Sequence, residues 1–504
     1  MQVLSYLLVT VYVIALVSLF AYGINCYVLM FLHRFHRKKA EHRERKLQEQ
    51  FSARVSKERL PKVTIQLPIF NEKYVVERLL QSATAISYPK ELLEIQVLDD
   101  SIDETVEIVR RAVSEYQTQG FDIVHLHRKD RTGYKAGALE SGLAEAKGEF
   151  IAIFDADFIP QPEFLKKTLP YFADARVGMI QARWGHTNHD YSLLTRAQSI
   201  GIDGHFAVEQ PARAWGGLFM NFNGTAGIWR KRAIEDAGGW QHDTLTEDMD
   251  LSYRAQLCGW KLEYSPTIVC PAELPVQIHA FKAQQHRWAK GSIQTAKKLL
   301  GQIFRARIPF QVKLEALFHL THYLVHPFML IVVITSLPML FTQWFYTGIS
   351  YPITLITLIA LASCGPSSLY FYSQRVLYRD WYKNLIYLPL LVCVGTGIAV
   401  NNTLAIMEAL GGRTGAFVRT PKYNILSRAD TWRQKEYHSP ESLVSVLEFL
   451  MGCYALVALI LFVALRKYYI SPFLITYSFG FFYVFALSIS HSAGARRKKL
   501  QPSR

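Results

Sequence analysis

Two aspartates, Asp155 and Asp157, stand one residue apart in FIAIFDADF, where an apolar run ends. Alternate residues of an extended chain point to the same face, so both carboxylates point to one side of the strand end. Paired carboxylates that leave room for substrate oxygens suit a hard divalent cation that also holds phosphates. The pattern predicts a site for Mg or Mn, although an isolated pair of this kind also occurs in solvated loops.

A second acidic pair, Glu247 and Asp248, belongs to TLTED and precedes MDLSYRAQLCGW, which has the spacing of an amphipathic helix. Carboxylates at a helix start are often ordinary caps. Lys135, in RTGYKAGALE, opens another helix, where a lysine and exposed backbone N–H groups suit an anionic leaving group. Because the metal-type pair, this lysine and QQHRW at 284–288 occur in one domain, we expect the second acidic pair to take part in chemistry.

The elements that must position these residues lie between about residues 60 and 300. Strand-like runs alternate there with helical stretches, which is typical of a parallel sheet with crossover helices. The runs are 63–70, 93–101, 121–128, 150–158 and 177–184. Ligands of such sheets bind beyond the carboxyl ends of the strands. The polar residues that close the runs are Asn71, Glu72, Asp99, Asp100, Asp155 and Asp157.

The ends of the chain have a different composition. No Asp, Glu, Lys or Arg occurs in 1–32 or in 316–374, and only a bilayer explains apolar runs of that length. We predict an uncleaved transmembrane anchor at 1–32, because the run lacks the basic leader of a signal peptide. A basic cytoplasmic linker is predicted at 33–59, and a membrane domain at 301–504. Its predicted spans are about 320–342, 352–374, 443–465 and 470–492.

The positions of the basic residues predict the topology. The block at 33–46 places that end of the anchor in the cytoplasm and the N-terminus outside. The basic stretch 401–444 and the tail 496–499 stay cytoplasmic only if 384–400 is interfacial or re-entrant. The formal net charge of +15 is then explained by topology and anionic membrane lipids rather than by nucleic acid. We therefore expect an integral membrane protein whose catalytic domain and C-terminus are cytoplasmic.

The motifs PIFNE, DDS, GYKAGAL, FDADF, FNGTAG, TED and QQHRW, in this order, resemble those of the family 2 inverting glycosyltransferases. Within that family the sequence is most similar to the cellulose synthase superfamily, and especially to the cellulose synthase-like mannan and glucan synthases. The resemblance covers residues 60–300 strongly and the membrane part more loosely. It implies an α/β glycosyltransferase domain of the GT-A type, with a Rossmann-like parallel sheet, joined to an α-helical transmembrane domain.

The resemblance also assigns roles. Asp248 would be the general base, within a catalytic group that includes Thr246 and Glu247. The acceptor sugar would meet Trp288 and the FNGTAG loop, while Gln284 shapes the pocket and Arg287 stabilises the departing diphosphate. The residues implied to bind the nucleotide are Pro68, Asn71, Glu72, Asp99, Asp100, Lys135, Asp155, Gln284, Arg287, Thr420 and Lys422. The residues implied to bind the metal are Asp155 and Asp157. The residues implied to bind the acceptor are Phe222, Asn223, Gly224, Thr225 and Trp288. An amphipathic helix on the membrane surface, with Trp288 as an interfacial anchor, is the alternative interpretation of QQHRW.

A last motif lies within 411–423, a region predicted to be cytoplasmic. GAFVRTPKY is similar to the gating loop of bacterial cellulose synthase, whose pattern is Phe, any residue, Val, Thr, any residue, Lys. Phe417, Thr420 and Lys422 match this pattern, whereas Arg419 stands where valine is expected. A threonine and two cations close to a nucleotide remain chemically reasonable.

The expected function is polymerisation of sugar units from UDP-glucose or GDP-mannose into a β-linked polysaccharide that leaves through the membrane segments. The membrane would be the plasma (cell inner) membrane or, in a eukaryote, that of the Golgi. The nearest enzymatic alternative is transfer of one sugar to a lipid, as in ceramide glucosyltransferases. A transporter or receptor with a nucleotide-binding regulatory domain is disfavoured, because ionisable residues within the spans are sparse. Donor sugar, linkage position, Mg versus Mn and oligomeric state stay open at this point.

Overall fold

The computed structural model describes residues 2–54, 60–340, 350–412, 419–437 and 443–499. Seven strands form one sheet in the order β3-β2-β1-β4-β6-β5-β7. They are β1 Val63–Ile69, β2 Leu93–Asp99, β3 Asp122–His127, β4 Phe150–Ile153, β5 Val177–His186, β6 Gly227–Arg230 and β7 Lys261–Ala272. Each of the five predicted strand runs therefore contains a strand, and the predicted α/β class is confirmed.

Two strands of this sheet were not predicted. β6 has only four residues and runs antiparallel to both β4 and β5, so the sheet is mixed rather than wholly parallel. β7 pairs in parallel with β5, but its sequence KLEYSPTIVCPA has no continuous apolar run. Short length and interspersed polar residues removed the pattern by which the other strands were recognised.

Helices cover both faces of the sheet, and buried apolar residues form one core on each side of it. The first helix, α1, is Gln2–Arg54. The helices that follow it up to residue 305 are α2 Val76–Thr84, α3 Thr105–Thr118, α4 Tyr134–Glu145, α5 Phe164–Thr168, α6 Leu193–Gly204, α7 Gln210–Trp215, α8 Lys231–Asp236, α9 Glu247–Leu257 and α10 Ile278–Arg305. A π-helical turn, His205–Glu209, joins α6 to α7.

Helix α1 joins the predicted anchor to the sheet domain without a break. The predicted linker at 33–59 is helical as far as Arg54, because its Lys, Glu, Arg and Gln residues are strong helix formers. Arg43 donates two hydrogen bonds to the Glu263 carboxylate of β7, at 3.1 and 2.7 Å. Glu44 Oε1 accepts hydrogen bonds from Ser265 and Thr267, each at 2.5 Å. The end of α1 is therefore docked on the domain.

The second half of the chain is helical. Its helices are α11 Phe310–Thr321, α12 Val325–Met339, α13 Ser350–Leu377, α14 Leu388–Gly397, α15 Ala399–Leu410, α16 Val444–Ala464 and α17 Ser471–Lys499. By length and composition, four stretches in the described residues could cross a membrane, namely Ser5–Glu49, Phe310–Met339, Val444–Ala464 and Ser471–Ser492. Helix α13 covers the predicted span 352–374 and packs closely on α1, with Gly365 against the backbone of Gly23. The protein is therefore a membrane protein.

The residues on either side of 384–400, the region predicted to be interfacial or re-entrant, contact the sheet domain. Before it, the Tyr378 hydroxyl donates to Asp203 of α6 at 2.9 Å. After it, Lys297 of α10 donates to the carbonyl of Ala409 at 3.0 Å. Helices α14 and α15 bend by 41° at their junction, as in a broken span or a re-entrant loop. The interfacial or re-entrant placement of 384–400 stays a prediction.

Candidate functional site

One cavity of about 200 Å³ opens at the carboxyl ends of β1 and β4. It collects motifs that are far apart in the sequence. The predicted residues that line it are Pro68, Glu72, Asp100, Lys135, Asp155, Asp157, Asn223, Gly224, Thr246, Glu247, Asp248, Gln284, Arg287, Trp288, Thr420 and Lys422. The expectation that ligands bind beyond the carboxyl ends of the strands therefore located the cavity, because neighbouring parallel strands end at one edge of the sheet.

Asp155 is fixed by its neighbours on both sides. Its backbone N–H donates to Thr225 Oγ1 at 2.8 Å, and its Oδ1 accepts from Lys135 Nζ at 2.5 Å. The same ammonium donates to the carbonyl of Gly224 at 2.9 Å. Burial disfavours the charged lysine, but Asp155 and Glu247 outweigh burial and raise the pKa of Lys135. Lys135 therefore stays charged at the floor of the cavity.

Asp157 is more deeply buried, and one of its oxygens is shared by two donors. Oδ2 accepts from the backbone N–H of Glu273 at 3.0 Å and from Lys422 Nζ at 2.7 Å. Each aspartate of the pair is thus neutralised by a lysine from another part of the chain. The lysines hold positive charge at the place where the sequence predicts a divalent cation.

The second acidic pair begins α9, with Thr246 as the residue before the first turn. Burial, followed by the neighbouring Glu247, raises the pKa of Asp248, and Lys135 offsets this only in part. Burial likewise raises the pKa of Glu247. A carboxylate whose pKa is raised towards neutrality is a stronger base than an exposed one, which suits removal of a proton from a hydroxyl group.

Gly224 brings the two acidic motifs together. Its φ is +79°, and a Cβ atom added there would lie 3.1 Å from Asp248 Oδ2 and 3.3 Å from Lys135 Nζ. A left-handed backbone without a side chain therefore lets the FNGTAG loop pass directly beside both groups. This close approach is the reason for a glycine at this position.

Helix α10 contains QQHRW and packs directly against the TLTED loop. Gln294 accepts a hydrogen bond from the Leu245 N–H at 3.0 Å. A Cβ atom at Gly291 would lie only 2.5 Å from Thr246 Cγ2, so helix and loop are in direct contact. Gln284, Arg287 and Trp288 lie three and four residues apart and therefore on one helix face, which faces the cavity. Burial lowers the pKa of Arg287, while Glu247 and Asp155 oppose that change.

The described residues 419–437, here called the strap, cover one side of the cavity. Thr420 and Lys422 line it as predicted. Arg419, which stands in place of the expected valine, pairs with Glu72 at 2.7 Å and lies over the Tyr437 ring. Burial raises the pKa of Glu72 to about 7, and Arg419 is the main opposing charge. Phe417, the first residue of the predicted gating pattern, lies outside the described residues.

Four of the predicted site residues do not line the cavity. Asn71 and Asp99 instead order the loop after β2, where Asn71 Oδ1 accepts from the Ile102 N–H and Asp99 Oδ1 from the Ser101 N–H. Phe222 is buried against Trp229, with 5.8 Å between the ring centroids, and Thr225 supports Asp155 as described above. Of these four residues, Thr225 contacts a group that lines the cavity, and the predicted direct binding roles of all four stay predictions.

The cavity also contains groups that the sequence analysis did not select. The Arg131 guanidinium lies over Phe70, 3.4 Å from the ring centroid, and both residues line the cavity. Glu273 follows the end of β7, so the strand-end rule would have selected it had that strand been recognised. Arg131 has no such signal, because it lies in a polar loop between β3 and α4.

The donor set fits a divalent cation that shares its coordination with a substrate. Acidic lining residues outnumber basic ones, the acids being Glu72, Asp100, Asp155, Asp157, Glu247, Asp248 and Glu273. Within the part of the chain that the structure describes, no group of three or more His, Cys, Asp or Glu side chains could enclose a metal. Two carboxylates leave coordination positions for phosphate oxygens and water, as is usual for Mg²⁺ bound with a nucleotide.

Comparison with known proteins adds family information to this geometry. Residues 61–291 match the model of the family described as Glycosyltransferase like family 2. Glucomannan 4-beta-mannosyltransferase 1 of Oryza sativa subsp. japonica is 42% identical over 250 residues, which cover 49% of this chain and 48% of that protein. Glucomannan 4-beta-mannosyltransferase 2 of Arabidopsis thaliana is 43% identical over 250 residues, which cover 49% and 47%. The match thus spans about half the length of these curated relatives.

Among solved structures, a mannosyltransferase from Pyrobaculum calidifontis in complex with GDP-Man and Mn²⁺ is similar over 77% of this chain and 99% of that chain. The TM-score of this match is 0.47 and the sequence identity is 19%.

Proposed function

We propose that the protein is a membrane-embedded, inverting β-glycosyltransferase, because residues 61–291 match the family 2 glycosyltransferase model and form the seven-stranded sheet. It polymerises sugar units from a nucleotide sugar into a β-linked polysaccharide and passes the chain across its membrane. The observation that carries the proposal is the meeting of a half-buried candidate base, Asp248, a metal-type carboxylate pair and QQHRW in one cavity.

Asp155 and Asp157 would hold Mg²⁺ or Mn²⁺, and a bound divalent ion would neutralise the diphosphate of the donor. The two lysines already present mark the same positions as sites of positive charge. Lys135 keeps its bond to the Gly224 carbonyl and can turn to the diphosphate, which is richer in negative charge than one carboxylate. Arg287 adds a second cation at the leaving group.

Asp248 is the base in the proposed reaction. It accepts the proton of the acceptor hydroxyl as that oxygen attacks the anomeric carbon, and the bond from that carbon to the diphosphate breaks in the same displacement. Attack from the face opposite the leaving group inverts the centre, so an α-linked sugar nucleotide yields a β-glycoside.

Trp288 is proposed to receive the acceptor sugar. Its indole lines the same cavity as Asp248, one residue beyond Arg287, and aromatic faces pack well on the apolar faces of pyranose rings. Helix α10 connects Trp288 to the membrane helices, since Asn401 of α15 donates a hydrogen bond to the carbonyl of Lys282 at 3.0 Å. A chain end held here would lie next to the helices through which it is proposed to leave.

The names of the two plant relatives support a mannosyl unit joined to position 4 of the acceptor. We therefore propose GDP-mannose as the donor, with UDP-glucose as the alternative. The membrane segments and the strap favour polymer synthesis over transfer of a single sugar to a lipid. The N-terminus is proposed to lie outside and the catalytic domain in the cytoplasm, in the Golgi membrane for a eukaryotic source or in the plasma membrane.

The test uses the purified full-length protein in vesicles, incubated with radiolabelled GDP-mannose or UDP-glucose and with Mn²⁺ or Mg²⁺. The expected product is a polymer that an endo-β-mannanase degrades, and labelling should stop when EDTA is added. A lipid-soluble product that carries one sugar would contradict polymer synthesis. Equal activity with and without EDTA would contradict the metal site.

A further inference from the structure

Glu273 is the residue through which β7, the carboxylate pair and the strap are connected. It is buried, with 4% of its surface exposed. Its side chain accepts hydrogen bonds from the backbone N–H groups of Tyr423 at 2.9 Å and Ile425 at 3.3 Å. Its own N–H donates to Asp157 Oδ2, and its carbonyl accepts from Lys422 Nζ at 3.2 Å. Glu273 thus contacts three residues of the strap, Lys422, Tyr423 and Ile425, and one carboxylate of the pair.

The contacts at position 273 require a side chain that is ionised, or at least one that accepts two hydrogen bonds. Tyr423 and Ile425 offer alternate N–H groups of one backbone stretch, and the two oxygens of one carboxylate accept one from each. Asn424 between them has a φ of +55°, so the backbone turns sharply around the carboxylate. Its side chain in turn accepts from Arg78, which also donates to the carbonyl of Asp157. The turn is therefore built around Glu273.

The remainder of the strap is held by contacts that do not involve Glu273. Tyr423, Ile425 and Trp432 pack with Val276 in a buried apolar cluster. Further along, the Tyr437 hydroxyl donates to Asp103. Removal of the Glu273 carboxylate should therefore loosen the turn that carries Lys422 while the body of the strap stays attached.

We infer that Glu273 is a positioning residue that seats the strap so that Lys422 is presented to the diphosphate of the donor. The inference rests on the proposed function. In the structure, Lys422 Nζ donates a hydrogen bond to Asp157 Oδ2, an atom proposed to bind the metal. Asp155 and Asp157 would hold such a cation, which would neutralise negative charge there, and Lys422 would then be free to donate to the diphosphate. The Glu273 carbonyl keeps Lys422 in reach during this exchange, because it holds the ammonium independently of Asp157.

The test compares Glu273→Ala and Glu273→Gln in the full-length protein, with Glu107→Gln as the matched control on the exposed face of α3. Binding of GDP and of UDP is measured with Mn²⁺ present, and hydrogen exchange is followed in peptides that cover 419–426. Loss of charged hydrogen bonds should weaken nucleotide binding about tenfold in Glu273→Ala. Glu273→Gln keeps one acceptor and should weaken it about threefold. Exchange in 419–426 should rise in the same order, while the control matches the wild type in both measurements.

A double-mutant cycle separates positioning from direct binding. In a Lys422→Ala background, Glu273→Ala should weaken nucleotide binding by less than about twofold, because its effect passes through Lys422. Additive effects of the two changes would overturn the inference, as would faster exchange with unchanged nucleotide binding. If the wild type bound neither GDP nor UDP, the proposed function would fail and the inference with it. Unchanged exchange in the α3 peptides confirms that each variant is folded.

Discussion

At the scale of single residues, the cavity places opposite charges where the proposed reaction needs them. Asp155 and Asp157 are each neutralised by a lysine, whereas Asp248 lies beside another carboxylate, Glu247. Burial of a carboxylate near a like charge favours its protonated form. Asp248 therefore differs from Asp155 and Asp157 in its environment, and this difference matches the different role proposed for it.

Asp248→Asn should remove the base and preserve the shape of the cavity. Since a positioned general base contributes about 10²- to 10⁴-fold to rate, transfer should fall by about that factor. Binding of GDP or UDP should change little, because Lys135 and Arg287 remain. The measurement is initial-rate labelling beside nucleotide titration, with Asp243→Asn, an exposed aspartate of the same loop, as the control. Turnover near that of the wild type would exclude Asp248 as the base.

The pH dependence of transfer should reflect the raised pKa of Asp248. The base acts only when deprotonated, so the rate at saturating donor should rise as pH increases through that pKa. The inflection should lie well above about 4, the ordinary value for a carboxyl group. Initial rates measured from acidic to neutral pH test this. A rate already constant from about pH 5 upwards would contradict the assignment.

Gly224→Ala should lower transfer because the added methyl group presses on Asp248 Oδ2 and Lys135 Nζ. The positive φ adds strain of about 1–2 kcal/mol in the folded state. Gly217→Ala is the matched control, since Gly217 has a φ of +68° and open space around the added methyl group. Both variants should lose similar thermal stability, and only Gly224→Ala should lose most of its activity. Equal activity of the two would contradict the close approach.

At the scale of elements, α10 is the part of the structure that aligns the acceptor platform with the base. It contacts the TLTED loop through Gly291 and Gln294, and Glu408 of α15 through Lys290 at 2.8 Å. A helix held from two sides transmits small shifts to every side chain on its cavity face. The spacing between Trp288 and Asp248 therefore depends on the fit at Gly291.

Gly291→Ala should push α10 away from Thr246, because the new Cβ atom would lie 2.5 to 2.9 Å from Thr246 atoms. The shift separates Trp288 from Asp248, so we expect shorter polymers and a reduced rate. Gly301→Ala on the same helix has open space around its added methyl group and is the control. Product length is measured by size exclusion. Wild-type lengths from Gly291→Ala would show that α10 tolerates the displacement.

At the scale of the whole molecule, the strap and both ends of the 378–410 region lie against the sheet domain. The ends of α16 and α17 nearest the domain also contact α10, since Lys282 pairs with Glu448 at 3.0 Å and His279 with Ser492 at 3.0 Å. These contacts fit the proposed topology, in which the strap and the domain lie on one side of the membrane. The loop between α16 and α17 lies at the far ends of those helices.

Cysteines introduced at Ser427 in the strap and at Arg466 between α16 and α17 should be labelled from opposite sides of sealed vesicles. The native Cys258, exposed on the sheet domain, is the internal reference. An impermeant maleimide that reaches Cys258 should label Ser427→Cys and spare Arg466→Cys, as peptide mass spectrometry can determine. Labelling of Ser427→Cys from the side opposite Cys258 would contradict the interfacial placement of 384–400.

The sequence by itself determined the α/β class, the apolar helices and half of the residues that line the cavity. These follow from local patterns, since strand ends, apolar periodicity and charge are written in consecutive residues. Only the tertiary structure decided that β6 runs antiparallel, that α1 continues into the domain, and that Glu273 holds the strap beside Asp157. Strand β6 is defined by its pairing with β4 and β5, and the strap contacts join residues more than a hundred positions apart. Burial of Asp248, and the base strength that follows from it, likewise arises only when distant segments pack together.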